Sequence, residues 1–589
     1  MEEKRIDPLQ IIGFFLLFLV LMWMMYRQAE EMEQNPQATA TEQTTQQTTQ
    51  QTDTQSAIAT LSVETNSVPL TYTELSNELL RLSVQSKGGV ISEAELLTET
   101  NYLNEQVHLV KNQNTDFNLR FLAEGQQFNT RDLNFVPIQE GNRLTMRAVV
   151  GSGHLDFVYT LPEQSYRLNF DVQSYGFSTD ADAELFWSQD GFRHALSADY
   201  ENRYAQLAYQ FETDKVGTLS AMGDDDDRDK DISWIAYRHH FFSMILIPEQ
   251  AFKDADFTSE SLLDEDDSDA SEFLKRFETQ TALDVRNGQL SAGFDWYIGP
   301  TDYNILKQYD ENISDSISFG WGIIGWINRF VFFPLFGLLS GFLPFGIAII
   351  VMTVIVRLVL SPVTYKSYLS QAKMKVLRPE INELTEKYKN DAGRKQQETM
   401  KLYSKAGVNP MAGCVPSLLQ LPVFLGLFYF FPVAFSLRGK SFLWAEDLSS
   451  YDAVLDLPFS IPFYGDHVSL FPLLASIAIF FYSKMTMGQQ MQSPQPGMPN
   501  MKFMIYLMPV MMLFFFNNYA SGLSLYYFVS NLITIFIMLV IKNYIIDDQK
   551  IQLQIQENKK KPKKQNRFQR KMEEMMEQAE QQRRSGRRR

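Results

Sequence analysis

"MTVIVRLVLSP", Met352–Pro362, is an apolar run with a single arginine inside it. An arginine at the centre of a hydrocarbon layer costs at least ~2.5–3.5 kcal/mol on insertion scales. Arg357 must therefore either snorkel to the headgroups or face water inside a bundle. The second reading makes the surrounding helices the walls of a cavity rather than a plain anchor. Thr353 lies one turn before Arg357 on the same helix face. Ser417 and Gln420 interrupt the next apolar block, and Tyr526, Tyr527, Ser530, Asn531 and Thr534 interrupt the last. Polar side chains within spans normally face a bundle interior or a water-filled cavity. These residues are accordingly expected to line a hydrophilic groove around Arg357, open to the cytoplasm.

Apolar blocks recur outward from this run, at residues 11–26, 342–360, 415–435, 468–482, 503–516 and 523–541. They predict six spans. Two of them are about 15 residues long, short of the ~20 that a spanning helix normally needs, and short spans thin the bilayer around them. The first block follows Lys4 and Arg5 and is read as an uncleaved anchor over 1–27; a cleaved signal peptide is the alternative. Residues 28–56 are Gln/Thr-rich, without apolar periodicity, and read as a disordered linker. Within 57–317, three runs alternate apolar and polar residues: Leu144 to Val150, Leu155 to Leu161 and Tyr166 to Val172. Period-two patterns separated by turn residues predict antiparallel strands, so this region is expected to form one large, mainly β sandwich domain. The segment 318–341, carrying Trp321, Trp326, Arg329 and Pro334, reads as an interfacial amphipathic helix. Residues 342–545 form the expected helical membrane core, including a cytoplasmic hairpin over 366–406 in which Pro379 should kink the first arm.

Charge orients the chain. The formal net charge of −17 is uneven: 366–410 holds 10 Lys/Arg against 5 Asp/Glu, and 559–589, within a tail running from 546, holds 13 against 4. Short basic loops stay cytoplasmic. With both termini inside, the acidic β domain and the loop containing Asp447, Asp452, Asp456 and Asp466 fall outside, in agreement with that rule.

Nothing in the chain points to catalysis. P-loop, HExxH, GxSxG and Cys/His metal spacings are absent from the sequence, and the only cysteine is Cys414. No catalytic residue, cofactor or small-molecule substrate is expected. The acidic runs at 224–227 and 264–267 lack the glycine of a calcium loop and read as solvated loops; His239 and His240 read as structural. Methionines recur through 485–504, either as an adaptable apolar surface or as an idle linker.

The segments "VRLVLSPVTYKSYLSQAKMKVLRPEINELTEKY" (356–388), "NPMAGCVPSLLQLPVFLGLFYFF" (409–431) and "SGLSLYYFVSNLITI" (521–535) together resemble the YidC/Oxa/Alb insertase family of the Gram-negative kind. The resemblance implies five core helices around a groove closed on the outside. Arg357 and Thr353 would be its polar groove residues, and Tyr526 and Tyr527 the aromatic pair that nascent helices slide past. It also implies insertion of nascent membrane proteins into the inner membrane, alone or beside the Sec translocon. The basic tail suits ribosomal RNA or anionic lipid. A secondary transporter, or a membrane-anchored periplasmic binding module, are the rival readings.

Overall fold

The computed structural model describes residues 69–179, 181–264, 270–309, 311–389, 391–408, 412, 415–461, 464–487 and 501–560. The expected anchor, the linker, most of the methionine-rich loop and the tail beyond 560 lie outside the described residues. Two compact units divide the chain, Met1–Ser318 and Phe319–Arg589.

In the first unit the three alternating runs form the strands Arg143–Val150, Gly153–Thr160 and Arg167–Tyr175, antiparallel neighbours in which Tyr159 opposes Leu144 on one side and Phe170 on the other. Period-two alternation puts Leu144, Met146, Ala148 and Val150 on one buried face. These strands belong to a 15-stranded sheet, beside a four-stranded one between Tyr72 and Val110. The large sheet folds over itself. Trp296, on the strand Gln289–Pro300, meets Phe117 at 5.4 Å and Trp187 at 4.9 Å, although neither of their strands pairs with its own. Facing layers joined by interdigitating aromatics make a β sandwich. Asp225–Asp227 begin the strand Asp225–His239 rather than forming a loop, because they pair with residues 257–259. His239 is buried beside Gln189, and burial pushes its imidazole down to about 3, leaving it neutral.

The second unit is helical: α1 (Gly322–Ser340), α2 (Phe345–Val376), α3 (Arg378–Lys387), α4 (Ala392–Ala406), α5 (Val415–Val433), α6 (Leu470–Met487), α7 (Met501–Phe516), α8 (Ser521–Val540) and α9 (Asp548–Lys560). Its core gathers Phe336, Met352, Phe430, Phe431, Phe471, Phe516 and Tyr526 from six of these helices. α1 does not break at Pro334; it makes a π turn over Asn328–Phe332 instead. Phe336 turns inward, 5.5 Å from Phe430, while Trp321, Trp326 and Leu338 stay exposed. α2 runs 16 residues past the expected end of its span at Leu360, with Pro362 inside it. The hairpin therefore consists of α3 and α4 alone. Pro379 lies in the first turn of α3, where its missing N–H costs nothing, and the chain breaks at Leu377 rather than kinking a continuous arm.

The count of six spans is not confirmed, and the first of them lies outside the described residues. Among the described residues only Gly322–Ser340, Phe345–Val376 and Ser521–Ile545 are long and apolar enough to cross a membrane, and 418–433, 470–486 and 506–516 are shorter apolar helices. α7, with 16 residues, extends about 24 Å at ~1.5 Å per residue, against ~30 Å of hydrocarbon.

Candidate functional site

Three helices converge on Arg357. α2 presents it thirteen residues in, α5 brings Gln420 and α8 brings Ser530. The guanidinium donates from Nε to Ser530 Oγ at 2.5 Å and from Nη1 to Gln420 Oε1 at 2.9 Å. Both acceptors are neutral. Among the described residues no carboxylate pairs with Arg357, which is half-buried. A positive charge partly removed from water and held by neutral dipoles keeps much of its field for whatever enters beside it.

The other expected groove residues divide. Tyr526 and Tyr527 are buried, ring to ring at 5.4 Å, with Tyr527 also stacked on Phe516 at 5.0 Å. Tyr526 lies beside Ser530 and Gln420, while the Tyr527 hydroxyl is buried without a hydrogen-bond partner among the described residues. Such groups call for water or a ligand. Thr353, Asn531 and Thr534 instead turn back on their own helices, donating to the carbonyls of Ile349, Tyr527 and Ser530 at 2.7 Å each. They line the wall without reaching the arginine. The side chain of Ser417 lies outside the described residues.

Two tyrosines near Arg357 were not among the expected groove residues. Tyr368 and Tyr482 lie within electrostatic reach of Arg357, as Tyr526 and Tyr527 do. Tyr368 stands eleven residues after Arg357, three helical turns, so continuing the helix past Pro362 would have found it.

The opposite end of the bundle is sealed. Asn517, just beyond α7, donates from Nδ2 to the carbonyls of Tyr464 and His467, both at 2.8 Å, and its Oδ1 accepts from the Ser469 amide at 3.0 Å. Gly522 at the start of α8 packs so tightly that an added Cβ would fall 2.8 Å from the Phe431 ring. Asp452 accepts from Trp444 Nε1 and from the Phe471 amide at the start of α6; burial raises its pKa against those bonds. The result is one half-buried cation held by neutral side chains from three helices, with buried aromatics beside it and a network of hydrogen bonds through Asn517 at the other end of the bundle.

Residues 336–550 match the family model described as 60Kd inner membrane protein, and residues 72–334 match that of the YidC periplasmic domain. Proteins named membrane protein insertase YidC are similar along most of their length: one from Parabacteroides distasonis is 39% identical over 83% of this chain and 80% of its own, one from Bacteroides fragilis is 36% identical over 83% and 81%, and one from Amoebophilus asiaticus is 31% identical over 94% and 95%. The transporter and binding-module readings receive no support from these relatives.

Proposed function

The chain belongs to the YidC family of membrane protein insertases, and from that premise we propose that the pocket around Arg357 holds the polar end of a substrate during its insertion. The protein is an inner-membrane insertase and chaperone rather than an enzyme, and nascent membrane proteins are its substrates. The observation that carries the proposal is the coordination of Arg357, among the described residues, by the neutral Ser530 and Gln420, which leaves its charge for an incoming acidic segment. The polar segment moves into the wet pocket, the following hydrophobic segment partitions into lipid beside α5 and α8, and the polar segment is released on the far side. Partitioning supplies the driving force, and the pocket lowers the cost of desolvating the polar segment.

The same reading places residues 1–27 as a membrane anchor, 28–56 as a tether, the β sandwich in the periplasm and both termini in the cytoplasm. The positive-inside distribution supports that orientation. On this arrangement the β sandwich is the side that meets Sec components. The basic residues of 559–589 suit ribosomal RNA, through counterion release, and anionic lipid by the same attraction.

Insertion into proteoliposomes tests the electrostatic step. Arg357→Glu is expected to slow substrates with acidic translocated ends and to relieve those with basic ends. Equal rates for both classes in wild type and variant would remove the charge from the mechanism.

A further inference from the structure

Between α5 and α6 the chain forms an antiparallel hairpin, strands Ala453–Ile461 and Gly465–Ser469. Its second strand is fastened to the helix ends through Asn517, and Asp452 ties the entry to the start of α6. The middle of the first strand is uncovered: Val454, Leu455 and Phe459 are 48%, 58% and 61% exposed. Leu455, Leu457, Phe459 and Ile461 recur at alternate positions of the sequence, and the pairing with the second strand is irregular between Asp456 and Ile461. A two-stranded hairpin is marginal in water, and contiguous exposed apolar side chains mark a surface that binds something.

Connectivity and composition identify the occupant. The second strand passes into α6 without a linker, Ser469 to Leu470, and Tyr464 touches Phe514 of α7 at 5.2 Å. Ile477, Phe481, Val510 and Phe514 on those two helices are likewise exposed, so the bare strand continues their outward apolar surface. No Lys or Arg occurs from 441 to 483, which leaves hydrophobic burial rather than attraction to anionic headgroups as the available force. We propose that the strand Ala453–Ile461 lies in the headgroup–acyl boundary of the leaflet at the sealed end of the bundle, its partner being lipid. There it extends the apolar wall of α6 and α7, both short for the hydrocarbon layer. This inference rests on the spanning reading of α5 to α8 and is independent of the role of Arg357.

A test uses the full chain with Cys414→Ser, carrying Leu455→Cys, Phe459→Cys or Asp466→Cys labelled with an environment-sensitive fluorophore, in phosphatidylcholine vesicles. The Asp466 side chain is 71% exposed and serves as the aqueous reference. Labels at 455 and 459 are expected to lose about half their emission to lipids carrying a nitroxide near the headgroup boundary, the ~5–10 Å depth at which interfacial elements ride, and to resist iodide; the label at 466 should behave oppositely. Iodide quenching at 455 and 459 would overturn the proposal in favour of solvent. Resistance to both quenchers would overturn it in favour of a protein cover. Reaction of the Asp466→Cys variant with an impermeant maleimide in intact cells reports separately on which side the loop lies, so a failed orientation is distinguishable from a failed lipid contact.

Discussion

At Arg357 the fork of the guanidinium matters as well as its charge. Nε and Nη1 reach acceptors on two different helices, a geometry that a lysine ammonium on its flexible stem does not reproduce. Arg357→Lys keeps the cation and loses the two-point hold. Insertion of acidic-ended substrates should fall about tenfold, the equivalent of one charge-assisted hydrogen bond of ~1.5 kcal/mol, and fall less than for Arg357→Glu; equal losses would make the retained charge irrelevant. A second buried cation sits in the β sandwich. Lys275 is fully buried with its ammonium on the Ala221 carbonyl at 2.7 Å, and burial pushes its pKa down to about 8 from 10.5, against the pull of Asp224 and Asp225. Below about pH 8 the folded and unfolded chains both carry the proton, and the folded form bears the whole penalty. Between about 8 and 10.5 the unfolded chain binds more protons, so stability from this group rises with pH, by up to ~1.4 kcal/mol per pH unit. Lys275→Met should raise the melting temperature of the sandwich at pH 7, followed by fluorescence of its buried tryptophans, and should flatten the alkaline rise. An unchanged slope would show that the ammonium is hydrated.

Among the helical elements, α9 has the clearest mechanical role. Ile551 and Ile555 on one of its faces pack with Leu377, Ala406 and Val408, the residues that bound α3 and α4. Lys559 pairs with Glu380 of α3 at 2.5 Å, and Asn558 donates to the Ala406 carbonyl. The helix that follows the last apolar segment thus clasps the base of the hairpin. Burial and charge contribute unequally here: an exposed ion pair is worth ~0–1 kcal/mol, whereas a buried isoleucine contributes ~2–5 kcal/mol. Ile555→Asp should therefore release the hairpin and speed proteolysis within 378–406, while Lys559→Ala should barely change it. Comparable cleavage rates for the two variants would mean that the ion pair holds the clasp. Leu369, Ala372, Val376 and Leu384 recur at roughly helical spacing, which makes helices legible in this region. It did not reveal that α2 would carry through Pro362 and end only at Leu377, since a proline permits a kinked continuation as readily as a stop.

Across the whole molecule, two units of opposite architecture follow one another in the chain, divided at Ser318 and Phe319. Arg357 and both its acceptors come from the helical unit. Removing residues 57–317 should accordingly leave insertion of simple substrates within about threefold of wild type, in the ~0.7 kcal/mol range expected when no groove contact is lost; growth of a depleted strain and insertion in vesicles both measure this. A loss of all insertion would make the β sandwich part of the working site.

The β sandwich was legible because a period of two needs only local alternation, and the polar residues of the apolar blocks were legible because a charge in hydrocarbon is costly wherever it stands. Local patterns of this kind also marked Arg357, Gln420 and Ser530 as residues with one reason to exist. Which of them meet was decided by packing: Ser530 is 173 residues from Arg357 and Gln420 is 63 away, and only the crossing of α2, α5 and α8 brings them within hydrogen-bond distance. In the same packing Thr353 and Asn531 bond to their own backbones, and Asn517 fastens the far end of the bundle. A hydroxyl or amide in a helix has a carbonyl four residues back always within reach, so its sequence position leaves open whether it bonds there or across the bundle, and the tertiary structure makes that choice.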